Sequence, residues 1–418
     1  MQYPVSIKLA VRNVFRNKIR TLITLAAIAF GSVSIIFAGG FFEDTFTQMR
    51  EAVIHGNLGH IQIYRNGYND HGSSAPFDYL IEKPDTIIKK IESLDHVKIV
   101  TPRISFSGMI STGDNTISVF CQGVDPGGEL ILNKIDGIKG AKTGLSIQAG
   151  SNLAKGDKFE VVLGRGLAKN LGAKPGDDLT LLTNTVDGSL NAFDMKVKGI
   201  FFTASKAFDD RALRLPIDMA QKLIRTNGVQ RLVVLLDKTL NTLTVKKEIL
   251  KTMGSIKTPL EIRTWRQMAD FYNKTVELYG RQFFILKLII TIIVILSIFN
   301  TISMAIWERT REIGTIMAMG YKKLDIMKLF LAEGLILGLL GGIAGIVIGS
   351  ALAWFISLFG IPMPPPPGAT IQWTAFIKIV PNILVSSFII AVSASVISSV
   401  YPAFKASNLI ITDALRHY

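Results

Sequence analysis

Leu288-IITIIVILSIFNTISMAI-Trp307 runs for 20 residues without a charge, and Glu308-Arg309-Thr310-Arg311-Glu312 follows it at once. A bilayer core of roughly 30 Å is crossed by about 20 apolar residues in a helix, so this stretch reads as a membrane span that ends abruptly on charge. Three more charge-free runs have the necessary length: Leu22 to Phe42 (21 residues), Gly334 to Ile377 (44) and Ile379 to Phe404 (26). The 44-residue run is too long for one span and is interrupted by Pro362 and by Pro364 to Pro367, which remove backbone donors and stop a helix near Gly360. These runs describe an α-helical membrane protein with four transmembrane helices and a large α+β extracytoplasmic domain inserted between helices 1 and 2.

Charge placement gives an orientation. Lys8, Arg12, Arg16, Lys18 and Arg20 precede the first helix, and Arg309, Arg311, Lys322, Lys323 and Lys328 lie between the second and third. Lys405 and Arg416 follow the fourth, whereas the proline hairpin from Gly360 to Phe376 has no basic residue. Positive charge stays on the cytoplasmic side, so both termini and the middle loop are expected there, and four crossings require the same parity. Of the formal +14, residues 43–282 contribute 32 Lys+Arg against 27 Asp+Glu, leaving +9 in or beside the membrane. The basic balance therefore reflects topology and attraction to anionic lipid, and no nucleic-acid partner is expected.

The expected order is a cytoplasmic amphipathic helix over 1–20, helix 1 over 21–42, the extracytoplasmic domain with a stalk over 43–282, and helix 2 over 283–306. A coupling helix and loop over 307–328, helix 3 over 329–360, the proline hairpin over 361–376, helix 4 over 377–404 and a cytoplasmic tail over 405–418 complete it. Residues 3–20 place Ile7, Val11, Val14 and Phe15 at helical spacing, with Lys8, Arg12 and Arg16 as an adjacent basic stripe, the pattern of a helix lying on a membrane surface. The same basic-then-apolar order, with Ala38-Gly39-Gly40 as a small-residue site, also resembles a signal peptide; the run exceeds an h-region and favours a retained span.

Within the large domain the pattern alternates helices near Asp85–Ser93, Gly166–Leu171 and Asp218–Arg225 with strands near Lys98–Ile104, Ile117–Val124, Leu179–Thr183, Met195–Phe202 and Arg231–Leu236. This reads as an α+β domain in two lobes, with loops around Tyr68–Pro76 and Asn184–Asn191 and a helical stalk over 261–282 entering the second span. Signs of catalysis are weak. Gly164-Arg165-Gly166 opens like a dinucleotide fingerprint, but position 169 is Lys169, so a strand-to-helix turn is expected. No P-loop, GxSxG or SxxK occurs, Cys121 is the single cysteine, and His55 and His60 read as packing histidines rather than metal ligands. No catalytic residue, resident cofactor or metal is expected on this chain.

Two small patterns remain. Gly334, Gly338, Gly341, Gly342, Gly345 and Gly349 give helix 3 small-residue spacing, suited equally to internal packing and to a dimer interface. Glu333 lies near the cytoplasmic start of that helix and Lys287 near the outer start of the second; snorkelling to the interface is expected of Lys287, and neither residue points to a proton pathway. In Glu308-Arg309-Thr310-Arg311-Glu312-Ile313-Gly314-Thr315-Ile316-Met317-Ala318-Met319-Gly320, helical spacing would pair Glu308 with Arg311 and Arg309 with Glu312. Ile313, Ile316 and Met317 would then present an apolar edge. A partner's groove and an interfacial loop with paired charges both fit that chemistry.

The stretch from Glu308 to Gly345, the tail Tyr401-Pro402-Ala403-Phe404-Lys405-Ala406 and Asp413-Ala414-Leu415-Arg416 resemble hallmarks of the FtsX/MacB-like (type VII) permease superfamily of ABC transporters. Arg12-Asn13-Val14-Phe15-Arg16-Asn17-Lys18-Ile19-Arg20-Thr21 and Gly59-His60-Ile61-Gln62-Ile63-Tyr64 are similar to its lipoprotein-release (LolC/LolE-like) branch. The resemblance implies a bacterial inner-membrane permease that dimerises with a second copy or a paralogue and pairs with cytosolic ABC ATPase subunits, which would hold the ATP and Mg. Glu308, Arg309, Thr310, Arg311, Glu312, Ile313, Gly314, Met317, Met319 and Gly320 would form the coupling helix seated in the ATPase. ATP-driven closure would travel through the stalk to the large domain and expel a lipoprotein or other amphiphile from the membrane without a central pore. A periplasmic adaptor or chaperone is a further partner the resemblance allows. Efflux of peptides or drugs, and signalling to a periplasmic hydrolase, are the alternatives.

Overall fold

The computed structural model describes residues 3–72, 74–135, 144–203, 205–254, 259–364, 372–411 and 414, with side chains from Lys8 onward. Pro365 to Pro367 of the proline run, Asp413, Leu415 and Arg416 of the tail motif, and the Ile7 side chain lie outside the described residues. The chain divides into two compact units: Met1–Phe46 with Thr275–Ile361 and Ala375–Tyr418, and Thr47–Lys274 with Pro362–Thr374.

In the first unit lie α1 (Tyr3–Arg16) and most of α2 (Lys18–Val53), whose end from Thr47 onward falls in the second. The periodic pattern predicts one helix over residues 3–20, but the backbone breaks at Asn17. Side chains of this type compete with the helical ladder for backbone groups. Helix α2 continues past Phe42 to Val53, beyond its charge-free stretch.

The second unit holds the remaining short elements. After a single π-helical turn at Ile54–Leu58 come β1 (Ile61–Arg65), α3 (Tyr68–His71), α4 (Pro84–Glu92), β2 (Val97–Ser111) and β3 (Thr116–Val124). Then follow α5 (Pro126–Leu132), β4 (Leu145–Gly150), β5 (Glu160–Gly164), α6 (Arg165–Leu171), β6 (Asp178–Asn184) and β7 (Leu190–Thr203). The last group is α7 (Lys206–Asp209), β8 (Ala212–Pro216), α8 (Ile217–Ile224), β9 (Arg231–Leu236), α9 (Thr242–Met253), β10 (Leu260–Thr264) and α10 (Trp265–Met268).

Strand order is β10-β1-β9-β2-β3-β8-β5-β7-β4, and β6 pairs with both β2 and β7. That extra pairing closes β2, β3, β8, β5, β7 and β6 into a ring, while β10, β1, β9 and the start of β2 form an open sheet. The two lobes follow from it. Ile104, Phe106, Val119, Cys121, Leu181 and Leu213 pack with Met219 and Leu223 of α8 in the ring, and Ile63, Val234 and Leu236 pack with Ile87 of α4 and Ile249 of α9 in the open lobe.

Two expectations for this unit need correction. Residues 261–282 are not one helix: Leu260–Thr264 pairs in full register with Arg65–Ile61, and a four-residue helix follows before the membrane helix begins. The tertiary gain of completing a sheet edge overrides the local helical pattern. Part of the expected loop at Tyr68–Pro76 is the helical turn α3. The expected loop around Asn184–Asn191 is found as the tight connection between β6 and β7, its ends belonging to the two strands.

The first unit is completed by α11 (Asp270–Glu308), which begins within the second, and by α12 (Thr310–Ala318), α13 (Lys323–Phe359) and α14 (Pro381–Ser407). Two three-residue strands, β11 (Ile361–Met363) and β12 (Trp373–Ala375), pair between α13 and α14. Among the described residues α2 with its π turn, α11, α13 and α14 are the four helices long and apolar enough to cross a membrane. All six glycines of the α13 pattern are buried. A Cβ on Gly334, Gly338 or Gly342 would press on Ser399, Ser395 or Phe388 of α14, and one on Gly341, Gly345 or Gly349 on Ile28, Ser32 or Ile36 of α2. Two sets at four-residue spacing, Gly334/Gly338/Gly342 and Gly341/Gly345/Gly349, thus form two internal seams.

Candidate coupling site

The helix pattern after Trp307 breaks where continuity was expected. Glu308 ends α11, Arg309 has φ −109° and ψ 9°, and α12 starts at Thr310. Thr310 contributes to the break by returning its hydroxyl to the carbonyls of Ile306 (3.1 Å) and Trp307 (3.0 Å). The pairings of Glu308 with Arg311 and of Arg309 with Glu312 are therefore not formed, because the turn takes these side chains off one continuous helix face.

Their charges reach other elements instead. Arg20 of α2 pairs with Glu308, and Arg16 of α1 grips Glu312 with two nitrogens at 3.0 and 2.9 Å. Arg309 turns inward: Nη1 lies 3.4 Å from Glu333 Oε1 of α13, and Nη2 donates to the Asn13 carbonyl at 2.9 Å. Asn13 closes the triangle, donating Nδ2 to Glu333 Oε1 at 2.7 Å. Arg309 and Glu333 are both buried, whereas Arg16 and Glu312 are half exposed at 50% and 53%. The Arg16 guanidinium is held above its ordinary pKa by its hydrogen bond to Glu312, against the opposing effect of burial. Of the proposed membrane-surface stripe, Lys8 and Arg12 remain exposed, while Arg16 is committed to Glu312.

The apolar edge is also reassigned. Ile313 and Gly314 are buried, and Ile316 and Met317 pack against the same cluster as Ile302, Ile306, Ile326 and Phe330. A nine-residue amphipathic helix turns its apolar face toward its own bundle, where Ile313 is buried and Ile316 and Met317 are half-buried. Arg311, Thr315 and Met319 are exposed at four-residue spacing, joined by Tyr321 and Leu324 in the following turn. Gly320 terminates the segment with φ +96° and open space where a side chain would go. Its requirement for glycine is conformational alone.

Residues 284–410 match the FtsX-like permease C-terminal family, and residues 21–252, more than half of the chain, match the MacB-like periplasmic core domain. The chain belongs to the FtsX/MacB-like permease superfamily of ABC transporters. An uncharacterized ABC transporter permease of Methanocaldococcus jannaschii is 29% identical over 66% of each chain. The lipoprotein-releasing system transmembrane protein LolC of Neisseria meningitidis is 23% identical over 97% of this chain and 96% of its own. The macrolide export ATP-binding/permease protein MacB of Burkholderia thailandensis is 33% identical over 35% of this chain and 21% of its own. Among solved structures, the periplasmic region of MacB from Actinobacillus actinomycetemcomitans covers 54% of this chain and 95% of its own, at 17% identity and TM-score 0.39.

Glu333 is the member of this FtsX/MacB-like permease site to which the sequence pattern gave no role. An acid inside the 37-residue helix α13, with no basic partner at helical spacing, was its signal. Lys287 lies over the Phe283 ring, 4.7 Å from its centroid. Elsewhere, Gly164 and Gly166 form the strand-to-helix turn from β5 to α6, where added Cβ atoms would strike Asp209 and Asp210. His55 and His60 pack internally: His55 Nδ1 lies 2.7 Å from the Leu132 carbonyl, and His60 Nδ1 accepts the Leu236 N–H at 3.1 Å.

Proposed function

We propose that this permease couples the cycle of a separate cytosolic ATPase to the mechanical extraction of lipoproteins, or another amphiphile, from the inner membrane. The observation that carries the reading is an apolar groove of about 600 Å³ between α2 and α11. Val33, Phe37, Ala38, Ile285, Leu286 and Ile289 line it, with Ser34 and Gln282 as polar members. Such a lining suits an acyl chain, which gains about 0.8 kcal/mol per methylene group removed from water. The near full-length similarity to a lipoprotein-releasing LolC protein supports the cargo class.

On the cytoplasmic side, Arg311, Thr315 and Met319 form the face offered to the ATPase, which binds ATP and Mg. Glu308, Arg309 and Glu312 hold that face to α1, α2 and α13. Both termini are cytoplasmic and the α+β domain periplasmic, a reading that the lysine and arginine distribution supports. The functional unit is a dimer with a second copy or a paralogue.

Site-specific photocrosslinkers at Phe37 and Ile289, in cells making the full chain with its ATPase, test the cargo. Acylated polypeptides trapped at both positions, and lost when ATP is turned over, are the expected result. Trapping of phospholipid alone would sink the lipoprotein assignment. The match to a MacB-like core favours one second reading, adaptor-dependent efflux, which predicts adaptor co-purification and no acylated adduct.

A further inference from the structure

One face of the sheet in the α+β domain carries more cationic donors than acceptors. Directly paired residues project from the same side of a sheet. The registers Tyr64↔Arg231, Arg103↔Arg231, Ser105↔Gln122 and Gln122↔Arg214 therefore put these side chains, with Arg103 two residues from Ser105, on a single face. Apolar clusters lie at both ends of the stripe, around Val233 and Trp265 and around Val162 and Phe201.

Glu129 of α5 answers two of the guanidiniums. Arg103 reaches it through Nε at 2.6 Å and Nη2 at 2.9 Å, and Arg214 Nη1 lies 3.2 Å away. Asp209 also bears on Arg214 through its charge, but its oxygens accept the Thr203 N–H at 3.0 Å and the Thr203 hydroxyl at 2.7 Å. Arg214 is 2% exposed and Gln122 fully buried, yet Nε and Nη2 of Arg214, both amide atoms of Gln122 and Nε of Arg231 have no partner among the described residues. Phe201 and Phe208 face the Arg214 guanidinium at 5.7 and 5.8 Å, a contact that eases its charge without accepting its hydrogens.

Buried water can satisfy such donors. It does not balance three guanidiniums set against Glu129 and the already occupied Asp209. Burial lowers Arg214 to about 10, with Glu129 opposing, so it stays cationic at neutral pH.

We propose that a small anion, chloride or a carboxylate of similar size, sits beside the β3–β8 pair, held by Nε and Nη2 of Arg214 and the Gln122 amide, with Arg231 adding charge. The anion ties the ring lobe to the open lobe at β2 and β9, the strands that bear Arg103 and Arg231.

The full chain, purified in detergent without halide, tests this by thermal unfolding at fixed ionic strength as gluconate is exchanged for chloride, or in parallel for formate. A tenfold rise in free anion concentration above its Kd multiplies the folded-to-unfolded ratio about tenfold and raises the midpoint by roughly 3–5 °C. Gluconate, the bulkier anion, is expected to give no rise, and whichever of chloride and formate gives the larger one is the preferred ligand. Arg214→Met and Gln122→Leu should each flatten the response, and crystals grown with bromide should show anomalous density between these two side chains. If Arg214→Met does not fold, Gln122→Leu decides, because it removes only a neutral amide. Coincident chloride, formate and gluconate curves, or an undiminished response in Gln122→Leu, would overturn the proposal.

Discussion

Two buried guanidinium–carboxylate sites differ in how completely they close. In the membrane unit one cation, Arg309, meets one anion, Glu333, and Asn13 joins both. In the α+β domain Arg103, Arg214 and Arg231 crowd around Glu129, and several donors are left over. A closed pair serves as a joint among α1, α13 and the start of α12, whereas an open one calls for an added group. Both lie where desolvation is costly, so each should respond far more strongly to loss of one partner than the exposed bridges nearby.

The largest effect is expected at the closed site. Glu333→Ala leaves Arg309 buried and unpaired, which should cost about 3–5 kcal/mol and appear as a deep drop in the thermal midpoint of the detergent-solubilised chain. The double variant Arg309→Met with Glu333→Met should recover most of that loss; a Glu333→Ala protein melting like the wild type would show that the node is not closed. Next comes acid sensitivity in the other unit. Burial, then His55 and Arg50, push His60 down to about 3 from 6.5. The unfolded chain then binds a proton that the folded chain refuses, so the stability is whole above the unfolded value and falls by about 1.4 kcal/mol per pH unit below it, levelling off near the folded value. His60→Gln should flatten that part of the pH–stability profile, and an unchanged slope would assign the effect elsewhere.

Smaller changes separate packing from surface charge. Gly345→Val drives a side chain into Ser32, and overpacking of this kind costs about 1–3 kcal/mol, read as a lower midpoint with ATPase affinity unchanged. Gly320→Ala forces a left-handed backbone on a residue with a side chain, at about 1 kcal/mol. Arg16→Ala removes a half-exposed bridge and should change stability by less than about 1 kcal/mol. The informative readout there is ATPase stimulation in the reconstituted complex: if it falls while the midpoint holds, α1 positions α12.

The spans were legible because hydrocarbon imposes a length and excludes charge, so composition alone places all four helices. The strands Arg231–Leu236 and Ile117–Val124 were legible for a similar reason, being apolar runs of strand length. β5 and β8 were not: each has five residues, and β8, Ala212-Leu213-Arg214-Leu215-Pro216, contains a buried arginine and a proline that argue against a strand. Their evidence is the neighbouring strand, which a linear pattern does not contain. The same limit hid the partners of Arg16, Arg20 and Arg309, which lie about 300 residues away or on the next helix.

The amino-acid sequence by itself determined the membrane class, the number of spans, the break at the proline run and the family motif after the second span. Those features depend on local composition and on the fixed thickness of a bilayer. Tertiary structure alone decided that the glycine pattern is two seams, that Ile313 and Ile316 pack into the bundle, and that Glu333 is a joint between α13, α1 and Arg309. Each of these depends on which distant side chain lies within about 3 Å, since short-range contact and desolvation set the energy of a buried polar group.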